Sequence, residues 1–167
     1  MLLSVAQLAS ERVITHFDRP TISSPADSVY FGQVPNKNRP VRALVVDDHP
    51  DAAEALARLL QAMGCAATFV VDPAKTMDAA AALDAEIIFL DIGMPLVNGY
   101  QLARLLRQRY GETILLVAVT AYAGEEHHRE SRHAGFDAHV QKPVDIKVVE
   151  SMLDTVLASR RGRASPA

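Results

Sequence analysis

Cysteine is almost missing from this chain. Cys65 is the only one among 167 residues, so no internal disulfide can form and a reducing compartment suits the chain. Seated between Gly64 and an apolar run, Cys65 reads as a small packed hydrophobe rather than a nucleophile. Long hydrophobic runs are missing too. Nowhere do eighteen apolar residues run together, which excludes a membrane-spanning helix. The start lacks the charge of an export signal, because no lysine or arginine precedes Arg12 and Ser4, Gln7 and Ser10 interrupt the apolar residues. A cytoplasmic location is expected, with no membrane partner. Positive charge is scarce in the body: residues 41–159 carry 17 acidic against 10 basic side chains. That balance argues against nucleic acid as a partner. Arg160, Arg161 and Arg163 return cations at the end, where residues 160–167 read as a disordered, solvated tail.

What is present is a globular composition, 49% hydrophobic, with no internal repeat. Leu2, Val5, Ala9, Val13 and Phe17 recur near helical spacing and predict a short amphipathic helix over 1–17. Pro20, Pro25, Pro35 and Pro40 then mark an irregular, flexible linker, so residues 1–40 read as an extension ahead of a domain at 41–159. From Val41 onward, short apolar runs alternate with helical patterns, the signature of a parallel sheet with crossover helices. The predicted strands are Arg42–Val46, Ala66–Val70, Ile87–Leu90, Ile114–Thr120 and Ala138–Gln141. Helices with an apolar stripe are predicted over Ala52–Met63, Pro73–Leu83, around Leu102, Leu105 and Leu106, and over Asp145–Ala158 with Asp145 as N-cap. A helix from Glu125 to Arg132 has no apolar residue, so it is expected to be weakly anchored and mobile. Five βα units with right-handed crossovers make an α/β three-layer sandwich.

The chemistry gathers at the strand ends. Asp47 and Asp48 follow the first strand, Asp91 ends the third, Thr120 the fourth, and Lys142 follows the fifth just before Pro143. An open parallel sheet places its ligands at these carboxyl ends. Three converging carboxylates repel one another unless a cation joins them. Mg²⁺ is suited, being a hard ion held by one or two carboxylates, waters and a phosphate oxygen. A carboxylate can also attack phosphorus and become an aspartyl phosphate. Such transfer asks mainly for positioning and neutralisation of the phosphoryl oxygens. The cation, the Lys142 ammonium and the Thr120 hydroxyl can each take one oxygen, and Asp91, standing alone, is the natural acceptor.

These motifs, Val45-Val46-Asp47-Asp48, Leu90-Asp91-Ile92-Gly93-Met94-Pro95 with Gly99, Val119-Thr120-Ala121 and Lys142-Pro143, give the chain its family likeness. From Val41 to Ala158 it resembles the receiver domain of two-component response regulators, a doubly wound, flavodoxin-like or CheY-like (βα)5 fold. The resemblance implies a parallel five-stranded sheet of order 2-1-3-4-5. It implies that Asp91 takes a phosphoryl group from a sensor histidine kinase or histidine phosphotransfer protein. It further implies that Asp48 and Asp91 ligate Mg²⁺ directly, Asp47 through water, and that the Gly93 backbone carbonyl completes the protein's ligands. A cis Lys142–Pro143 bond is also implied. With nine residues after Ala158, the expectation is a stand-alone receiver, monomeric or weakly dimeric, that signals to a downstream protein target. It would catalyse only its own phosphorylation and dephosphorylation. A degenerate receiver acting as a phosphorylation-independent binding module is one alternative. An aspartyl-phosphate hydrolase is another, though Gly93 stands where such enzymes place a second aspartate.

One position departs from the common pattern, and another bears on the lifetime of a phosphoryl group. Receivers carry phenylalanine or tyrosine three residues before the lysine, as a switch that moves with Thr120; here His139 stands there. Tyr122 borders the expected path of the hydrolytic water and is expected to shield the phosphoryl group. His127, His128 and His133 read as a solvated helix face rather than a metal site, and His49 as a helix-start residue.

Overall fold

The computed structural model describes residues 13–14, 39–95, 97–121 and 125–163. Strands β1 (Val13–Ile14), β2 (Arg42–Val46), β3 (Ala66–Val70), β4 (Ile87–Asp91), β5 (Leu115–Thr120) and β6 (Ala138–Gln141) form one sheet. Helices α1 (Pro50–Ala62), α2 (Thr76–Leu83), α3 (Gly99–Tyr110), α4 (Glu125–Ala134) and α5 (Ile146–Arg163) alternate with β2–β6. The order across the sheet is β1-β6-β5-β4-β2-β3. Strands β2 to β6 are all parallel, and taken alone they run 2-1-3-4-5.

Alternation along each strand divides the core. Ala43, Val45, Ile87, Phe89, Leu115, Val117 and Val119 join α1 and α5 on one face. Leu44, Val46, Ile88, Leu90, Leu116 and Ala118 join α2, α3 and α4 on the other. A strand covered on both faces must be apolar at every position, which is why β4 and β5 read as unbroken hydrophobic runs. The edge strand β3 is half exposed and lacks that character.

Several expectations need correction. The helix expected over 1–17 meets the described residues only at Val13–Ile14, and there the backbone is a strand, antiparallel to β6. Both residues are β-branched and favour extended backbone once an open sheet edge supplies partners. The rest of that helix, the proline-marked linker and Tyr122 lie outside the described residues. The single helix expected from Pro73 opens as a 3-10 turn over Pro73–Lys75, capped by Asp72, before α2 begins. The tail expected from residue 160 is helical through Arg163. Arg160 explains the extension: it pairs with Glu86 and donates to the carbonyls of Arg39 at 2.7 Å and Pro40 at 3.1 Å.

Burial pushes the Glu86 carboxyl up, but hydrogen bonds from Arg160 and Arg42 and the field of both cations outweigh it and hold its pKa below the ordinary value. A depressed carboxyl stabilises the fold above its unfolded value and loses that contribution as pH falls through the folded one. Thermal denaturation of the wild type should therefore show stability falling below about pH 4. A Glu86→Gln chain should show a shallower loss over the same interval.

Helix α4 is anchored, against the apolar-stripe logic, by polar side chains. His128, Ser131 and Ala134, spaced three apart, form its buried inner row. The solvated reading of the α4 histidines thus fails for His128 and holds for His133, which is exposed.

Candidate functional site

The parallel register brings the chemistry together. Asp91 lies opposite Val119, and Thr120 opposite Gln141, so β4, β5 and β6 present Asp91, Thr120 and Lys142 side by side. Strand β2 delivers Asp47 next to β4. The strand ends are tied by backbone bonds, Ile92 N–H to the Val119 carbonyl at 3.1 Å and Lys142 N–H to the Thr120 carbonyl at 2.7 Å. The Lys142–Pro143 peptide is cis.

At the centre stands the Lys142 ammonium. Its Nζ donates to Asp47 Oδ2 at 2.6 Å and to Asp91 Oδ2 at 2.9 Å. Asp47, Asp91 and Thr120 are buried, Thr120 completely. Burial works against the Lys142 charge, but the hydrogen bonds and fields of Asp47 and Asp91 outweigh it, and its pKa is raised. The ammonium is thus held charged throughout the neutral range. The other Asp91 oxygen, Oδ1, accepts the Gly93 N–H at 2.8 Å.

Asp48 is less buried and lies beside His49, whose Nδ1 is 3.1 Å from Asp48 Oδ1. His49 is the N-cap residue of α1, as expected, and its N–H donates to Asp47 Oδ1 at 3.0 Å. Its imidazole also joins the acidic cluster, which sequence reasoning missed. Only its adjacency to the aspartate pair could have signalled this.

The donor set fits a hard divalent cation. Atoms of Asp47, Asp48, His49 and Asp91 that could ligate an ion lie within 4.8 Å of one another. Three carboxylates against one ammonium leave two negative charges to balance, and oxygen predominates among the donors. Asp47, Asp91 and Lys142 also line a cavity of about 320 Å³, together with Ala52, Leu56 and Leu59 of α1 and with Pro143 and Val144.

Gly99 is required by space rather than by turn conformation, whereas a Cβ on Gly93 would meet only Asp91 Oδ1, at 3.3 Å. A Cβ on Gly99 would lie 2.7 Å from Ile92 Cα and 2.8 Å from the Asp91 carbonyl oxygen. The first turn of α3 therefore rests directly on the loop that carries Asp91.

His139 lies on β6 opposite Ala118, two residues before the Thr120 level. Its ring is buried, 4.2 Å from that of His128, and its Nδ1 is 3.1 Å from Ser131 Oγ. Tyr100 OH lies 3.4 Å from His127 Nδ1. Strand β6 is thus joined to α4 through imidazole and hydroxyl groups rather than an aromatic hydrocarbon.

Known proteins resemble this chain in sequence and fold. The model of the response regulator receiver domain matches residues 43–154. The sensor histidine kinase RcsC of Salmonella typhimurium is 31% identical over 134 residues, 80% of this chain but 13% of that protein. An uncharacterized 14.6 kDa protein of Leptolyngbya boryana is 32% identical over 103 residues, covering 61% of this chain and 79% of its own length. Among solved structures, a CheY-like receiver domain protein from Methanospirillum hungatei superposes with a TM-score of 0.66 at 21% identity, over 74% of this chain and 98% of that one. A CheY-like receiver from Methylobacillus flagellatus gives a TM-score of 0.61 at 28% identity, over 70% and 98%. The chain spans about an eighth of the length of the RcsC kinase, 13%.

Proposed function

Because the chain belongs to the response regulator receiver family of two-component systems, we propose that Asp91 accepts a phosphoryl group from a histidine kinase or histidine phosphotransfer protein. The observation that carries this reading is Lys142 Nζ bridging Asp91 Oδ2 and Asp47 Oδ2 at 2.9 and 2.6 Å. An Asp91 oxygen attacks phosphorus as the bond to the donor imidazole nitrogen breaks, and the bonding pair leaves with that nitrogen. Lys142 neutralises one phosphoryl oxygen, the Thr120 hydroxyl and neighbouring N–H groups another. Mg²⁺, held by Asp48, Asp91, the Gly93 carbonyl and, through water, Asp47, would neutralise charge on a third. The new anion pulls on Thr120 and, through β6, on His139, and so alters the α4–β6–α5 face that a protein target reads.

Incubation with acetyl phosphate and Mg²⁺, followed by intact mass, tests the reading. An adduct of about 80 Da that is absent from an Asp91→Asn chain is expected. Rapid turnover of many phosphomonoesters, with no retained adduct, would favour hydrolase chemistry. Tyr122 is proposed to shield the aspartyl phosphate from water. Its half-life should shorten in Tyr122→Ala, and an equal half-life would remove that role.

A further inference from the structure

Strand β6 is the outer strand of the parallel sheet on the side of α4 and α5, and it would present an open edge there. Its sequence, Ala138-His139-Val140-Gln141, has none of the lysine or proline that discourages strand addition. The other outer strand, β3, lacks them too, yet among the described residues only β6 is covered. The cover is the chain's own β1, with Val13 opposite Val140 and Ile14 opposite His139.

The hydrogen-bond phase of β6 shows which groups are covered. Lys142 N–H donates to the Thr120 carbonyl at 2.7 Å, in register with Gln141 opposite Thr120. Alternate residues of a parallel ladder face the same neighbour, so Val140 turns its backbone toward β5 and His139 turns outward. Ile14 therefore meets the outward N–H and C=O of His139.

The reach is sufficient in the same molecule. From β2 to β1 the sheet has four inter-strand steps, about 20 Å at ~4.8 Å each. Residues 15–38 lie between β1 and the described chain, several times the length needed.

We propose that Val13–Ile14 is a displaceable strand with which the chain covers, in cis, the β6 edge of its own readout face. It rests on the receiver reading for the identity of that face. Two paired residues make a short ladder whose few bonds are offset by the cost of ordering them. Such a cover is easily removed. The register ties it to the acceptor site: β6 pairs Gln141 with Thr120 and His139 with Ala118 on one side, and His139 with Ile14 on the other. A rearrangement at Thr120 on phosphorylation thus bears on the strand that β1 holds, and a partner strand gains the edge when β1 leaves.

Amide hydrogen exchange on the full chain tests this. In a Val13→Pro, Ile14→Pro chain, which removes the donor groups from β1 without touching the domain, the His139 amide should exchange about tenfold faster. Val117 and Ile88, in central strands, should be unchanged and so report an intact fold. Equal His139 exchange in the two chains would overturn the proposal. Dilution over a tenfold range should leave wild-type His139 protection unaltered, and protection lost on dilution would replace the cis cover with a swapped dimer. In wild type carrying the phosphoryl adduct, confirmed by mass, His139 exchange should accelerate. An adduct with unchanged exchange would overturn the coupling. Failure to form the adduct would instead refute the receiver reading, while the proline comparison still decides whether β1 covers the edge.

Discussion

A Lys142→Met chain should be destabilised by about 1–3 kcal/mol in metal-free buffer and should recover much of that loss when Mg²⁺ is added. The ammonium is hydrogen-bonded to both Asp47 and Asp91, each buried to about 95%. Removing one partner of a fully buried pair costs about 3–5 kcal/mol, because the remaining charge is left uncompensated. Lys142 retains 27% side-chain exposure, so solvent screening lowers the figure to about 1–3 kcal/mol. Two carboxylates then face Asp48 with no cation among them, and a divalent ion should bind and stabilise the folded state by mass action. The signature is a larger Mg²⁺-induced rise in midpoint temperature for Lys142→Met than for wild type. Phosphorylation by acetyl phosphate should also slow, by about tenfold or more, since one neutralising group is gone. A variant as stable as wild type without metal would show that the bridge contributes nothing.

Substitution at Gly99 should damage the site without touching any of its side chains. The Cβ of Gly99→Ala would press on the Ile92 Cα at 2.7 Å and the Asp91 carbonyl at 2.8 Å. Both are backbone atoms in the segment that aims Asp91, so neither can yield by a rotamer change. Overpacking of this kind costs about 1–3 kcal/mol. The larger effect is geometric: a displacement near 1 Å can lower a transfer rate by about a hundredfold. Circular dichroism should report a folded chain of lower midpoint, while the rate of adduct formation falls far more than stability explains. A rate equal to wild type would mean that the loop absorbs the clash away from Asp91.

Most of the sheet could be read from sequence because β4 and β5 are covered on both faces and must be apolar throughout. The site was equally legible, since acids, hydroxyl and lysine each ended such a run and parallel register alone aligns strand ends. What escaped had physical causes. Two residues of β1 carry no periodicity, and their conformation depends on an edge lying more than a hundred residues away in the chain. The inner row of α4 is His128, Ser131 and Ala134, so a search for an apolar stripe reports a helix with nothing to bury. The last turns of α5 depend on Arg160 reaching Glu86 and two distant carbonyls, a contact that no local pattern encodes. His49 joined the acids only because α1 begins directly at the strand end.

The most direct measurement is to locate the phosphoryl group itself. After incubation with acetyl phosphate, borohydride trapping of the acyl phosphate and peptide mass mapping should place modification on the peptide containing Asp91, and at that residue. It should require Mg²⁺, vanish with a chelator, and be lost in Asp48→Asn. Modification that appears at another residue, or at Asp91 with equal yield in the presence of a chelator, would contradict the account.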